Sequence, residues 1–211
     1  MGQSMRTRVK ICGFTQVQDA VEAANLGVDA IGLVFYPPSP RHVSIDTAIE
    51  IVNALPAFVT VVALFVDEQE AQIREVLSKV SIDCLQFHGD ESAEACELYN
   101  KPYMKAVRVK PELDIMDIAS QYKKATAILL DAYHPGIKGG SGSQFDWNLI
   151  PENCSLAVVL AGGLQVDNAK QAVETVRPYA LDVSSGVESS KGIKDVAKMA
   201  AFIQAINEGD R

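Results

Sequence analysis

The octapeptide Arg8-Val9-Lys10-Ile11-Cys12-Gly13-Phe14-Thr15 decides the fold. A strand pattern from Arg8 to Cys12 runs into a glycine, and a helical pattern follows from Thr15 to about Leu26. Thr15 is placed to cap that helix and Gly27 to end it. A doubly wound sheet would normally carry a Gly-rich GxGxxG turn here, and Cys12-Gly13-Phe14-Thr15 does not match it. Alternate strand side chains share a face, so Arg8, Lys10 and Cys12 point one way and Val9 and Ile11 the other. A cation two residues from a thiol favours the thiolate. Taken alone, the stretch is better explained by a buried free cysteine, the commonest fate of an unpaired thiol.

Outward from this unit, strand and helix patterns keep alternating. Ala30 to Phe35 reads as a strand, then a proline-rich loop to Arg41, then a helix from Ile45 to Leu55 capped by Ser44. Phe58 to Val66 is β-branched and apolar, as in a strand covered on both faces. A helix from Glu68 to Val80 follows. The next strands are Ile82–His88, Tyr103–Val109 and Ala127–Asp131, separated by helices at Glu91–Tyr99 and Leu113–Tyr122. From Ala132 to Phe145 the chain is glycine-rich without regular period, and only a helical turn is expected at Asp146–Ile150. Leu156–Leu160, Val166–Val176, Leu181–Ser184 and Lys194–Asn207 resume the alternation. Eight such units predict a parallel (β/α)8 TIM barrel with a reduced helix after strand six. Residues 8–211 form one domain in this reading, after a flexible segment of residues 1–7.

The chain has 211 residues, 48% of them hydrophobic, enough for a substantial core. Its 27 acidic against 19 basic residues give a net charge of −8, which disfavours nonspecific binding to nucleic acid or anionic membrane. An anionic ligand must therefore be captured by local groups. Cys12, Cys84, Cys96 and Cys154 are widely spaced, without a CxxC pair or a histidine at metal-ligand spacing. Reduced thiols, a cytoplasmic location, and the absence of a cysteine–histidine metal site, signal peptide or membrane span are expected.

In such a barrel the site is built at the C-terminal strand ends. There stand Cys12, Arg41 in the loop after strand two, His88, Arg108, Asp131, Gly162-Gly163, and Asp182 ahead of Ser184-Ser185-Gly186. The turns after strands seven and eight fit the phosphate site common in these barrels, where bare backbone N–H groups cradle an anion. Asp131 ends an apolar strand, as suits a general acid, though an Asp bonded to loop amides has the same signature. Arg41, after three prolines, suits bidentate carboxylate binding. His88 and Asp182 read equally as catalytic or structural, and as a substrate anchor in the case of Asp182.

In order along the chain, Lys10-Ile11-Cys12-Gly13, Gly32-Leu33-Val34-Phe35 with Ser39-Pro40-Arg41, Gln86-Phe87-His88-Gly89, Leu130-Asp131, Gly139-Gly140-Ser141-Gly142 with Phe145-Asp146-Trp147, Leu160-Ala161-Gly162-Gly163-Leu164 and Asp182-Val183-Ser184-Ser185-Gly186-Val187-Glu188 resemble the phosphoribosylanthranilate isomerase family. Phe14, Phe87 and Ser141 stand where family members often carry Leu, Leu and Thr. The resemblance implies a cofactor-free Amadori rearrangement in tryptophan biosynthesis. It implies Asp131 as general acid, Cys12 as general base, Arg41 on the anthranilate carboxylate and Asp182 on the bridging amino group. The turns at Gly162-Gly163 and Ser184-Ser185-Gly186 would hold the phosphate of this phosphosugar. His88, Lys10 and Arg108 join as candidate substrate-binding residues, with Lys10 supporting Cys12 electrostatically and Gly136 to Gly142 as a lid. The protein is expected to be a monomer or homodimer.

Other phosphosugar barrels fit less well. A histidine-pathway isomerase would show a second phosphate turn in its first half, and pentose epimerases resemble metal enzymes with His and Asp ligands. A noncatalytic phospholigand barrel would need the turns but neither Cys12 nor Asp131.

Overall fold

A computed structural model of the chain describes residues 6–132 and 145–211. Eight strands, β1 (Arg8–Cys12), β2 (Ala30–Val34), β3 (Thr60–Phe65), β4 (Cys84–Phe87), β5 (Tyr103–Val109), β6 (Ala127–Ala132), β7 (Ala157–Leu160) and β8 (Ala180–Val183), pair in chain order and close into a barrel. Every neighbouring pair is parallel, and β8 returns to β1 with Asp182 opposite Lys10.

Strand alternation sorts the side chains into two layers. Val9 and Ile11 of β1 join Ile31, Leu33, Phe65 and Leu85 in the shell beneath the helices. The intervening positions face the barrel axis, where Val62, Met104, Ala106, Leu129 and Val159 pack together. Cys12 packs at the C-terminal end with Val34, Leu64 and Val66. Leu129 and Asp131 share a strand face, so Asp131 projects from the same side of β6 as that inner packing. Each fully buried Phe or Leu contributes about 1.5–3 kcal/mol of transfer free energy.

The outer helices are α1 (Val17–Asn25), α2 (Ile45–Ala54), α3 (Glu70–Lys79), α4 (Ala93–Cys96), α5 (Ile115–Gln121), α6 (Val166–Val176) and α7 (Val196–Gly209). Between β6 and β7 the described residues hold a single 3-10 turn, Trp147–Leu149. Ser44 caps α2 as expected, accepting from the Thr47 N–H. Thr15 does not cap α1: its hydroxyl donates to the Gly192 carbonyl at 2.6 Å, and Gln16 takes the cap position. The third strand begins at Thr60 rather than Phe58, because Phe58 adopts φ +71° and is fully exposed. The helix expected over Glu91–Tyr99 shortens to α4 followed by a 3-10 turn at Glu97–Tyr99.

Between β8 and α7 lie a 3-10 turn, Ser185–Val187, and an antiparallel hairpin of β9 (Glu188–Ser190) and β10 (Ile193–Lys194) that the periodicity does not reveal. Within the segment expected to be flexible, Arg6 pairs with Asp29, and Thr7 is buried against Asp210 at 2.8 Å. Residues 1–5, and the lid expected at residues 136–142, lie outside the described residues.

Candidate active site

The C-terminal strand ends surround an open cavity of about 790 Å³, its mouth included. Cys12, Arg41, His88, Asp131, Gly162, Gly163, Asp182, Ser184 and Ser185 all line it, which brings together nine positions singled out from the sequence. The other three stand apart. Arg108 donates to Asp90 at 2.9 Å and does not line the cavity. Lys10 lies one layer deeper, bordering a separate cavity with Arg8 and Tyr179 at the N-terminal end. Gly186 abuts the Leu164 carbonyl, so that a Cβ there would overlap it and force apart the turns after β7 and β8.

Cys12 is 6% exposed. Burial raises its thiol above the ordinary 9.0, with Lys10 and Lys194 pulling the other way and Asp182 adding to the rise. Lys10 therefore favours the thiolate, as its place two residues away on the same strand face implies, but burial sets the net direction. The Lys10 ammonium donates to Asp182 Oδ1 at 2.9 Å, and that carboxylate opposes its effect on the thiol. Burial raises the Asp182 carboxyl as well, against the pull of Lys10. Gly32 faces Cys12 across the β1–β2 pair, where a Cβ would stand 2.5 Å from Sγ.

Asp131, 6% exposed, accepts from the Ala132 N–H at 2.8 Å through Oδ1 and meets His88 Nε2 at 3.0 Å through Oδ2. Gly162 lies against it: at φ +78° a Cβ would press on Asp131 Oδ1 and the Ala132 amide. Gly163 is also left-handed, at φ +66°. These two residues give the bare, tightly curved backbone that anion binding uses.

Arg41 is committed to a partner the sequence does not announce. Its Nε and one Nη bind the two oxygens of Glu188 at 2.7 and 2.8 Å, from β2's loop to β9. Lys194, fully buried on β10, donates to Glu188 Oε1 at 3.0 Å, the Cys12 carbonyl at 2.6 Å and the Ser184 carbonyl at 3.1 Å. Ser184 Oγ also donates to the Cys12 carbonyl. The hairpin thus ties the end of β1 to the end of β8.

Sequence reasoning gave Gln86, Glu188 and Lys194 no role. Gln86 carried a usable signal, being polar inside an apolar strand and on the same face as His88. Glu188 and Lys194 sit in strands too short to register as a pattern.

A parallel (β/α)8 barrel whose C-terminal face gathers a thiol, a carboxyl and two glycine- and serine-bearing turns around one cavity has the layout of the phosphosugar-isomerase class of this fold. The family model for N-(5'-phosphoribosyl)anthranilate (PRA) isomerase matches residues 9–205. The chain belongs to that family. The isomerase of that name from Nitrosococcus oceani is 56% identical over 203 residues, covering 96% of this chain and 98% of that one. Crystallised monomers of the dimeric enzyme from Thermotoga maritima are 38% identical with a TM-score of 0.84, covering 95% of this chain and 98% of that one. A phosphoribosyl anthranilate isomerase in complex with reduced 1-(o-carboxyphenylamino)-1-deoxyribulose 5-phosphate has the same identity and coverage, with a TM-score of 0.85.

Proposed function

We propose that this chain isomerises N-(5-phosphoribosyl)anthranilate to 1-(2-carboxyphenylamino)-1-deoxyribulose 5-phosphate in tryptophan biosynthesis, with Asp131 as general acid and Cys12 as general base. The supporting observation is that both groups line one cavity whose rim carries the paired turns after β7 and β8. Asp131 gives its proton to the furanose ring oxygen as the C1′–O bond breaks and the anthranilate nitrogen lone pair forms the iminium. The Cys12 thiolate then takes the proton from C2′, and the electrons of that bond neutralise the iminium to an enolamine. Tautomerisation yields the ketone, so no atoms are gained or lost and no cofactor is called for. Each positioned proton transfer is worth about 10²–10⁴ in rate.

Arg41 and Asp182 hold the anthranilate carboxylate and bridging amino group in this scheme, and His88 supports Asp131. The phosphate rests on Gly162, Gly163, Ser184 and Ser185, with Gly186 allowing the turns to meet. Lys10 acts from below through Cys12 and Asp182. The enzyme works in the cytoplasm as a monomer or homodimer. Among the described residues no helix is long and apolar enough to cross a membrane.

A fluorescence assay for loss of phosphoribosylanthranilate, run on wild type, Cys12→Ser and Asp131→Asn, tests the reading. Turnover is expected in the wild type and near-complete loss in both folded variants. Wild-type-like activity in either variant overturns the assigned roles.

A further inference from the structure

Gln86 is 1% exposed in the middle of β4 and makes one side-chain hydrogen bond, from Nε2 to His88 Nδ1 at 3.0 Å. Its Oε1 is buried and finds no partner among the described residues. A leucine or methionine would fill this strand position without stranding a polar atom, so the amide is retained at a cost. The bond to His88 is where a return on that cost can be found.

We propose that Gln86 is a positioning residue for the acid, fixing the His88 imidazole in the tautomer that carries its hydrogen on Nε2. The inference rests on Asp131 acting as the general acid. An amide nitrogen can only donate, so Nδ1 must present its lone pair, and the neutral ring then bears its hydrogen on Nε2. That N–H points at Asp131 Oδ2, 3.0 Å away, while the Ala132 N–H serves Oδ1 at 2.8 Å. Two consequences follow for the proton. Asp131 cannot spend its proton on His88, because Nε2 has no lone pair to receive it, so the proton stays available to the substrate. Once the proton has left, both carboxylate oxygens already have a donor. With the opposite tautomer, Nε2 would draw the Asp131 proton into a bond with the ring and away from the cavity.

Three histidines, His42, His88 and His134, make the ring nitrogens tractable by ¹⁵N NMR on histidine-labelled protein, with His88→Gln assigning the signal. At a pH where the ring is neutral, the wild type is expected to show His88 in the Nε2–H form. Gln86→Met, similar in length and without the donor, is expected to give averaged tautomers and a kcat lowered about tenfold, with KM unchanged. Gln86→Glu can only accept, so it is expected to move the hydrogen to Nδ1 or to protonate the ring. A wild-type ring bearing hydrogen on Nδ1, or tautomer and kcat both unmoved by Gln86→Met, overturns the proposal. A wild type showing the Nε2–H form but no turnover overturns the isomerase reading first, and the role given to Gln86 with it.

Discussion

Lys10 Nζ lies 2.9 Å from Asp182 Oδ1 across the β1–β8 pair, with both side chains buried. Lys10 is the largest influence pulling the Cys12 thiol down, against a burial that raises it. Removing that cation leaves the thiol higher still and the carboxylate without its partner. Lys10→Met is therefore expected to slow alkylation of Cys12 at neutral pH. The rising limb of the pH–rate profile is expected to move to higher pH. Breaking a buried pair from one side costs about 3–5 kcal/mol. Alkylation followed by mass spectrometry of the Cys12 peptide checks the first effect and denaturant unfolding the second. Faster alkylation in the variant would count against Lys10 as the thiol's supporting charge.

Gly162 and Gly27 share a left-handed backbone, at φ +78° and +88°, but differ in what a side chain would meet. A Cβ on Gly27 has nothing within 4 Å, whereas one on Gly162 presses on Asp131 and the Ala132 amide. Both alanine variants carry the left-handed penalty of roughly 1–2 kcal/mol. Gly162→Ala alone is expected to lose turnover, since it displaces the acid. Urea melts paired with kcat measurements separate the two effects. Equal kcat in the two variants would show that Gly162 serves only the turn.

Arg41 and Arg108, both candidates from the sequence, part company in the structure. Arg41 lines the cavity, while Arg108 reaches the exposed Asp90. Arg41→Ala is expected to raise KM strongly, as loss of a carboxylate anchor does. Arg108→Ala is expected to leave KM near wild type and to cost at most about 1 kcal/mol, the range of exposed pairs. Steady-state kinetics on the two variants decide between them, and a large KM effect in Arg108→Ala would restore it to the site.

The barrel was legible because its strands are continuous apolar runs and its loops carry strong punctuation. Tyr103–Val109 and Val166–Val176 agree with β5 and α6 at both ends. Phe58 misled for the same reason, since an apolar aromatic extends the run while its positive φ cannot be read from composition. Cys12, Asp131 and the paired turns were visible as strand ends. What local pattern could not supply were partners far along the chain. Asp182, which offsets Lys10, is 172 residues away, and Glu188, which holds Arg41, is 147 away. Lys10 does pull the Cys12 thiol down, as its proximity implies, but burial, with Asp182 adding to it, sets the net direction, and neither can be read from the local pattern.

Glu188 couples this network to acid stability. Burial pushes its carboxyl up, but the bonds to Arg41 and Lys194 win and hold it below the ordinary 4.5. A carboxyl lowered in the folded state contributes stability that is present above its unfolded value. That contribution is lost as pH falls from about 4.5 through the folded value, because the unfolded chain takes up the proton first. Glu188→Gln lacks it, so the variant is expected to be less stable at neutral pH, where Arg41 and Lys194 lose their counterion. Its stability is also expected to fall less steeply with acid. Thermal midpoints from neutral pH down to about 3 should converge for the two proteins. Parallel curves would mean that the Glu188 carboxylate contributes nothing the amide cannot. With its carboxylate partner gone, the Arg41 fork is also free to swing, so KM is expected to rise in the same variant while kcat holds, a split that separates aiming of the anchor from damage to the acid–base pair.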